Sequence, residues 1–518
     1  MRDKTAPCSI NRYTGTELIL KGVVMKKLNI SLMSVGLAMM PVLAQAFVSG
    51  STGADGDFAP TVNTQVVLPP SGILNYGTVN IPAGVTVTFK KNATNTPVVI
   101  LATGNVTIAG AISLNASGGT PTGAAGDGVL GDDGIPGRGG PGGYDGGAGA
   151  LGSINGGSGG QTGGVGLGPG GGGGGGYVAG RTLFGGGGGG YAGAGANNYY
   201  STSYYGYAGY AVYGPGGAAY GSSLLLPLIG GSGGGGGSSS TYSGGGGGGG
   251  GGAILIAASG TVSITGGIWA HGGVGGAVAG VNGGGSGGGG SGGAIRIVAT
   301  TISGNGNLSA AGAGAGSNAT SDYASGGSGA SGRIRLEAEV YTRTAASTPG
   351  HSQGLPGAVF VAGLPTLSIT SVGGVAVPAE PTGNADVTLP ATTTNPVTVV
   401  FTTTGVPAGN TIKLSLKPAT GSEVTAISPA LVGDTTSATA SVSITLPDGP
   451  STLQATVTYN IVLAMGDALS VYAQGERVEK VTLASTFGSK ETKATLITVS
   501  GKEYEVPASV LAMAAMQG

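Results

Sequence analysis

The chain has 518 residues, with 21 Lys and Arg against 22 Asp and Glu, a formal net charge of −1, and only 8% charged and 5% aromatic residues. No basic stripe exists for nucleic acid and no polybasic run for an anionic membrane, and the low charge excludes the highly charged kind of disorder. Glycine supplies 116 residues, so the open question is whether it marks flexible linker or ordered main chain.

Residues 1–46 read as lying outside the fold. Met25 and two lysines form a basic start, 28–43 is apolar apart from small or polar interruptions, and Ala44-Gln-Ala46 has the small-x-small form of a secretory cleavage site. Cleavage is expected after Ala46, with 1–24 an upstream extension and 25–46 a signal peptide whose apolar part is too short to span a bilayer. The one cysteine, Cys8, precedes that site, so the mature chain has none for a disulfide. Residues 1–46 hold six basic and two acidic residues, and without them the net charge is −5. The expected location is secreted or at the outer cell surface, with no transmembrane segment in the mature chain.

From Thr78 to Phe89, apolar or β-branched residues alternate with polar ones, as in half-buried strands. Three segments then align: Val98-Val-Ile-Leu-Ala, Ile254-Leu-Ile-Ala-Ala and Ile295-Arg-Ile-Val-Ala, with a truncated fourth copy at Gly332-Arg-Ile-Arg-Leu336. Repetition of this kind marks stacked units sharing one core, so an all-β chain is expected with a parallel β-solenoid over 47–364. Glycine-rich inserts at 117–252, 272–293 and 312–332 leave from the same point of the repeat. Between 128 and 152 every third residue is glycine, the period of extended left-handed helices. With only Pro136 and Pro141 in that run, packed polyglycine-II-like helices fit better than collagen. Glycine loses the most backbone entropy on ordering, so only a lattice of main-chain hydrogen bonds and Cα–H···O contacts could hold such tracts. The runs 170–176, 185–190 and 244–252 are expected as its inner members; the alternative is flexible Gly/Ser loop.

The composition changes at Pro365, where Thr, Val and Ser replace glycine. Strands are expected at 367–369, 386–389, 397–403, 411–416, 438–446 and 453–463, giving an immunoglobulin-like β-sandwich over 365–470 without a disulfide. Residues 471–518 read as a β-hairpin with strands at 477–485 and 495–499, followed by a short helix within 506–516.

Little in the chain suggests catalysis. The repeats carry few ionisable residues, and Arg333 and Arg335 alternate with Ile334 and Leu336 as an outward strand face would. His271 and His351 have no sequence neighbourhood that nominates a triad and read as structural or exposed. No cofactor is implied. Ca²⁺ is the one ion considered, with Asp55, Asp57, Asp132 and Asp133 as candidate ligands in turns, although none has EF-hand spacing. No glycine tract runs into Lys-Ser or Lys-Thr, which excludes a phosphate loop. One segment does stand out: Tyr199, Tyr200, Tyr204, Tyr205, Tyr207, Tyr210 and Tyr213 fall among Ser, Gly and Asn between two glycine runs. That palette gives adaptable recognition loops large contact area with few rotatable bonds, and it also suits self-association.

The repeat-plus-glycine pattern, as in Gly289-Gly-Ser-Gly-Gly-Ala-Ile-Arg-Ile-Val-Ala299, resembles large secreted bacterial glycine-rich β-helix proteins of the pectate-lyase-like, adhesin type. The glycine tracts look like the polyglycine-II sandwiches of phage tail-tip adhesins, whose loops between tracts recognise receptors. These resemblances imply a non-enzymatic surface or matrix protein that displays its tyrosine-rich tip to a surface, a glycan, a matrix component or itself. Two rivals remain. A carbohydrate-active lyase or hydrolase would need clustered carboxylates, and an ice- or mineral-binding face would need a regular threonine ladder where the repeats offer Thr107, Ser263 and Ser303.

Overall fold

The computed structural model describes residues 47–121, 134–153, 160–177, 184–198, 214–278, 284–317, 325–360, 365–377, 387–418, 422–447, 449–461, 463–486, 492–508 and 510–511. Residues 46–518 form one compact unit. Among the described residues the protein is nearly all β, with parallel sheets first and antiparallel sheets after them.

The parallel part begins with β1 (Thr64–Val67), β2 (Ile73–Tyr76), β3 (Val79–Ile81), β4 (Thr86–Lys90), β5 (Val98–Ala102), β6 (Val106–Ile108) and β7 (Ala111–Ser113). It continues with β8 (Ala253–Ile264), β9 (Gly267–Trp269), β10 (Ala294–Ser303), β11 (Asn307–Ser309), β12 (Arg333–Tyr341) and β13 (Ser352–Gly354). One sheet runs β1-β4-β7-β9-β11; the other runs β13-β12-β10-β8-β5-β2, with β6 pairing β3 on one side and β8 on the other. Register stacks like on like: Val98, Ile254, Ile295 and Ile334 form one column, Ile100, Ile256, Ile297 and Leu336 a second, and Ala102, Ala258, Ala299 and Ala338 a third. These columns are buried in one aliphatic core. At roughly 1.5–3 kcal/mol for each large aliphatic side chain, they are the main force stacking the strands.

Excursions leave after β7, β9 and β11, which are neighbours in one sheet, and return into β8, β10 and β12, which are neighbours in the other. The three glycine-rich stretches therefore depart from one corner and run side by side.

The antiparallel part holds β14 (Thr366–Val372), β15 (Val375–Ala376), β16 (Val397–Thr404), β17 (Ile412–Pro418), β18 (Val424–Ile427), β19 (Val432–Gly433), β20 (Ala438–Ile444) and β21 (Ser451–Asn460). After a short helix α1 (Leu463–Ala468) come β22 (Val478–Thr486), β23 (Thr492–Thr498) and β24 (Glu503–Pro507). The sheets run β15-β14-β16-β20-β19 and β18-β17-β21-β22-β23-β24. Leu367, Val399 and Phe401 from the first meet Ile412, Leu414, Val457 and Leu483 from the second in one buried cluster.

Three local expectations are corrected here. Residues 387–389 form no strand, because Pro390 lacks a donor and sits in a turn closed by the Thr393 amide to its carbonyl. The strand expected to reach 463 stops at Asn460, and Leu463 opens α1 instead. Val506 and Pro507 are not helical: the ladder of β23 captures them, pairing Ala494 with Val506, and only 510–511 are helical among the described residues beyond them. A free sheet edge outweighed local propensity there.

Candidate functional site

The glycine tracts are built from main chain bonded to main chain. In 244–252 every amide donates, with a period of three: Gly244, Gly247 and Gly250 to Ala150, Gly147 and Tyr144; Gly245, Gly248 and Gly251 to Gly285, Gly288 and Ser291; Gly246, Gly249 and Gly252 to Thr120, Ser117 and Leu114. The carbonyls of this tract accept from three other directions, from Gly137 and Gly140, from Gly231, Gly234 and Gly237, and from Gly273 and Gly276. One extended chain thus has six bonded neighbours, which is hexagonal packing. The same holds for 185–190, 230–237 and 285–293. Of these four tracts, 230–237 and 285–293 touch each other and each touches both 185–190 and 244–252, and the four are ringed by ten more, at 114–120, 134–140, 144–150, 163–167, 172–175, 214–218, 195–198, 326–332, 313–316 and 272–276. The run 170–176, expected among the inner members, lies in the ring instead.

Steric exclusion explains the composition. A Cβ on Gly237, Gly248 or Gly293 would lie well under 3.0 Å from the carbonyl oxygens of Gly285, Gly273 and Gly252 respectively. Side chains fit at the one position in three that faces out: Ile135 and Arg138, Ala148 and Leu151, Thr162 and Val165 are all exposed in ring tracts. Ordering a residue's backbone costs about 1–2 kcal/mol, while a net hydrogen bond returns about 0.5–1.5 kcal/mol, so the tracts hold only where nearly every group is paired.

Two of the buried serines that interrupt the glycine accept an extra bond from a main-chain amide. Ser291 Oγ accepts from the Ser232 amide at 2.8 Å, and Ser238 Oγ accepts from the Phe184 amide at 2.9 Å. Sequence reasoning overlooked them; lone serines inside glycine runs were the available signal.

At the end of the lattice away from the sheets, the connections between tracts come together. Ser153 bonds to Ser240, Ser238 to Phe184, Gly285 to Ser238, and Val278 to Ser317. Asn198 Nδ2 reaches the Ser325 carbonyl at 3.2 Å. The chain leaves this end at Asn198 and returns at Gly214, where the Asn198 amide donates to the Gly214 carbonyl at 3.0 Å and the Gly216 amide to Asn197 Oδ1 at 2.8 Å. Tyr199, Tyr200, Tyr204, Tyr205, Tyr207, Tyr210 and Tyr213 lie outside the described residues, as do Asp132 and Asp133.

Tyr191 and Tyr220, which flank the 199–213 segment in sequence, sit at the opposite end of the lattice and are 1% and 2% exposed. Their rings stand 4.8 Å apart, their hydroxyls donate to the Ile229 and Gly230 carbonyls, and Arg333 lies 5.6 Å above the Tyr191 ring. Burial pushes both phenols far above their usual range. They are packing anchors at the base of the tracts.

The remaining candidates are tied into the fold. Asp55 accepts from the Asn75 amide at 2.6 Å, and Asp57 from the amide and hydroxyl of Thr78 at 2.8 and 2.9 Å. Among the described residues no three His, Cys, Asp or Glu side chains converge as metal ligands. His271 Nε2 meets Ser309 Oγ at 2.7 Å and His351 Nδ1 meets Ser347 Oγ at 2.9 Å. Burial lowers the pKa of both imidazoles, helped at His351 by Arg343. Among the described residues neither imidazole is bonded to a carboxylate that would orient it for general-base work.

Arg335 does alternate with the core residues Ile334 and Leu336, yet its outward face is covered rather than open. Glu337 bridges Arg296 at 2.9 Å and Arg335 at 2.5 Å, and the Arg296 and Glu337 side chains are only 3% and 2% exposed. Burial pushes the Glu337 carboxyl up, but hydrogen bonds from Arg296, Arg335 and the Gly357 amide outweigh it and leave the carboxyl below its usual value. Asn80, Thr107, Ser263 and Ser303 share one register column, which is a polar row but not a threonine ladder. Among the described residues no helix is long and apolar enough to cross a membrane. Comparison with protein-family models, with curated proteins and with solved structures finds no match to this chain.

Proposed function

We propose that the protein is a secreted, non-enzymatic surface or matrix protein: a β-solenoid carrying a polyglycine-II bundle, beside an immunoglobulin-like sandwich. The bundle is a stiff platform, and 199–213 is the segment it presents for attachment to a surface, glycan or matrix component. The observation that carries this reading is the six-neighbour bonding of 244–252, with the base of 199–213 clamped by Asn197 and Asn198 at the far end of the same lattice. Holding a recognition segment on rigid supports lowers the ordering cost of binding. Tyrosine among Ser and Gly suits such contact.

The test replaces the seven tyrosines of 199–213 by serine in the mature protein and compares both forms on a glycan array and on cell and matrix surfaces. Attachment of the parent protein that is lost in the folded variant supports the reading. Attachment equal in both forms removes the tyrosine segment from it.

A further inference from the structure

We propose a second site, independent of the attachment segment: a cleft between the outer face of the parallel sheet and the final hairpin that takes an uncharged hydrocarbon group. Outward positions of a sheet facing water are ordinarily polar. Here register instead aligns Ile73, Val99 and Leu255 as an outward aliphatic column on β2, β5 and β8. The column ends at Arg296, which faces Glu337 and is thereby neutralised. Pro227, Leu228, Val359, Phe360, Val506 and Ala508 line the cleft with that column. Leu228 and Val359 pack on Val99 and Leu255, yet an open volume of about 330 Å³ remains. That is roughly twice the ~150 Å³ apolar cavity that holds benzene, and it lies within the size range of small-molecule sites.

The polar groups on the lining are turned to other partners. The Asn95 side chain accepts from the Gly142 amide at 3.0 Å and donates to the Gly143 carbonyl at 2.9 Å, and Thr96 Oγ1 accepts from Asn92 at 2.7 Å. Recognition therefore rests on shape and apolar contact. Among the described residues no cationic side chain lines the cleft, so an anion finds no counter-charge there. A neutral alkyl or ring group fits this chemistry, and a fatty-acid anion fits it poorly.

The experiment titrates the mature protein with the neutral fluorophore N-phenyl-1-naphthylamine and then displaces it with 1-decanol or with decanoate. Saturable binding of about one probe per chain is expected, with decanol displacing it at least tenfold more effectively than decanoate at neutral pH. Val359→Trp and Ala508→Trp each put a large ring on the lining, and each is expected to weaken probe binding at least tenfold while thermal melting stays at the parent value. Absence of saturable binding, binding unchanged in whichever filled variants fold, or decanoate displacing as well as decanol would overturn the assignment.

Discussion

A glycine in the lattice is defined by what surrounds it rather than by its own flexibility. Gly248 would drive a Cβ into the Gly273 carbonyl, whereas Gly193 has no atom within 4 Å of that position. Gly248→Ala is expected to cost more than about 3 kcal/mol, because backbone on every side cannot give way. Gly193→Ala should stay within about 0.5 kcal/mol; urea unfolding of the two variants checks the contrast. Glu337 is the other decisive residue. Glu337→Gln leaves the Arg296 charge buried without its counter-ion and should cost about 3–5 kcal/mol. Its carboxyl has a lower pKa folded than unfolded, so its stabilisation is complete above about pH 4.5 and disappears as pH falls through the folded value. Acid unfolding that starts at higher pH in the parent than in Glu337→Gln would contradict this.

At the level of elements, strands and glycine tracts reach order by different means. The strands bury aliphatic columns; the tracts bury almost no side chain and depend on saturation of main-chain groups. Amide hydrogen exchange should therefore show 230–237, 244–252 and 285–293 protected as strongly as β8 and β10, with ring tracts such as 163–167 exchanging faster. Uniformly rapid exchange across 244–252 would mean the lattice does not hold. The start of the folded unit offers another element-level check. The Phe47 amide donates to Glu339 Oε1 at 2.8 Å, so cleavage after Ala46 would place a new α-ammonium beside that carboxylate. If the proposed export and cleavage occur, intact mass and N-terminal sequencing of the processed protein should give Phe47 first.

Across the whole molecule, a tyrosine cluster joins the base of the lattice to the antiparallel sheets. Tyr144 donates to the Glu505 carbonyl at 3.2 Å, Gln474 reaches the Gly171 carbonyl at 3.4 Å, and Tyr191 and Tyr220 share the same buried cluster as Leu367 and Val399. Burial holds the phenols of Tyr144, Tyr191 and Tyr220 neutral well past their usual range. Their contribution is complete below about pH 10 and is lost as pH rises through that value toward the folded pKa values. Ultraviolet titration should show these three silent at pH 10.5, and unfolding midpoints should fall steeply above pH 10.

Much of the parallel part was legible, since the alignment of Val98 with Ile254 and Ile295 is the register in which β5, β8 and β10 pair. Side-chain period, repeat phase and the common departure point of the inserts are properties of the chain itself, and so is the three-residue spacing that leaves one position in three for a side chain. Which tract lies beside which could not be read, because every glycine offers the same donor and acceptor and no side chain labels a partner. For the same reason 170–176 looked like an inner run although its neighbours place it in the ring. The cover over Arg335 and Glu337, the capture of Val506 by β23 and the cleft beside Leu255 likewise arise from segments far apart in sequence meeting at one surface. Local pattern determined the strands and the spacing of the tracts; tertiary packing alone decided their neighbours, because main-chain hydrogen bonds carry no address.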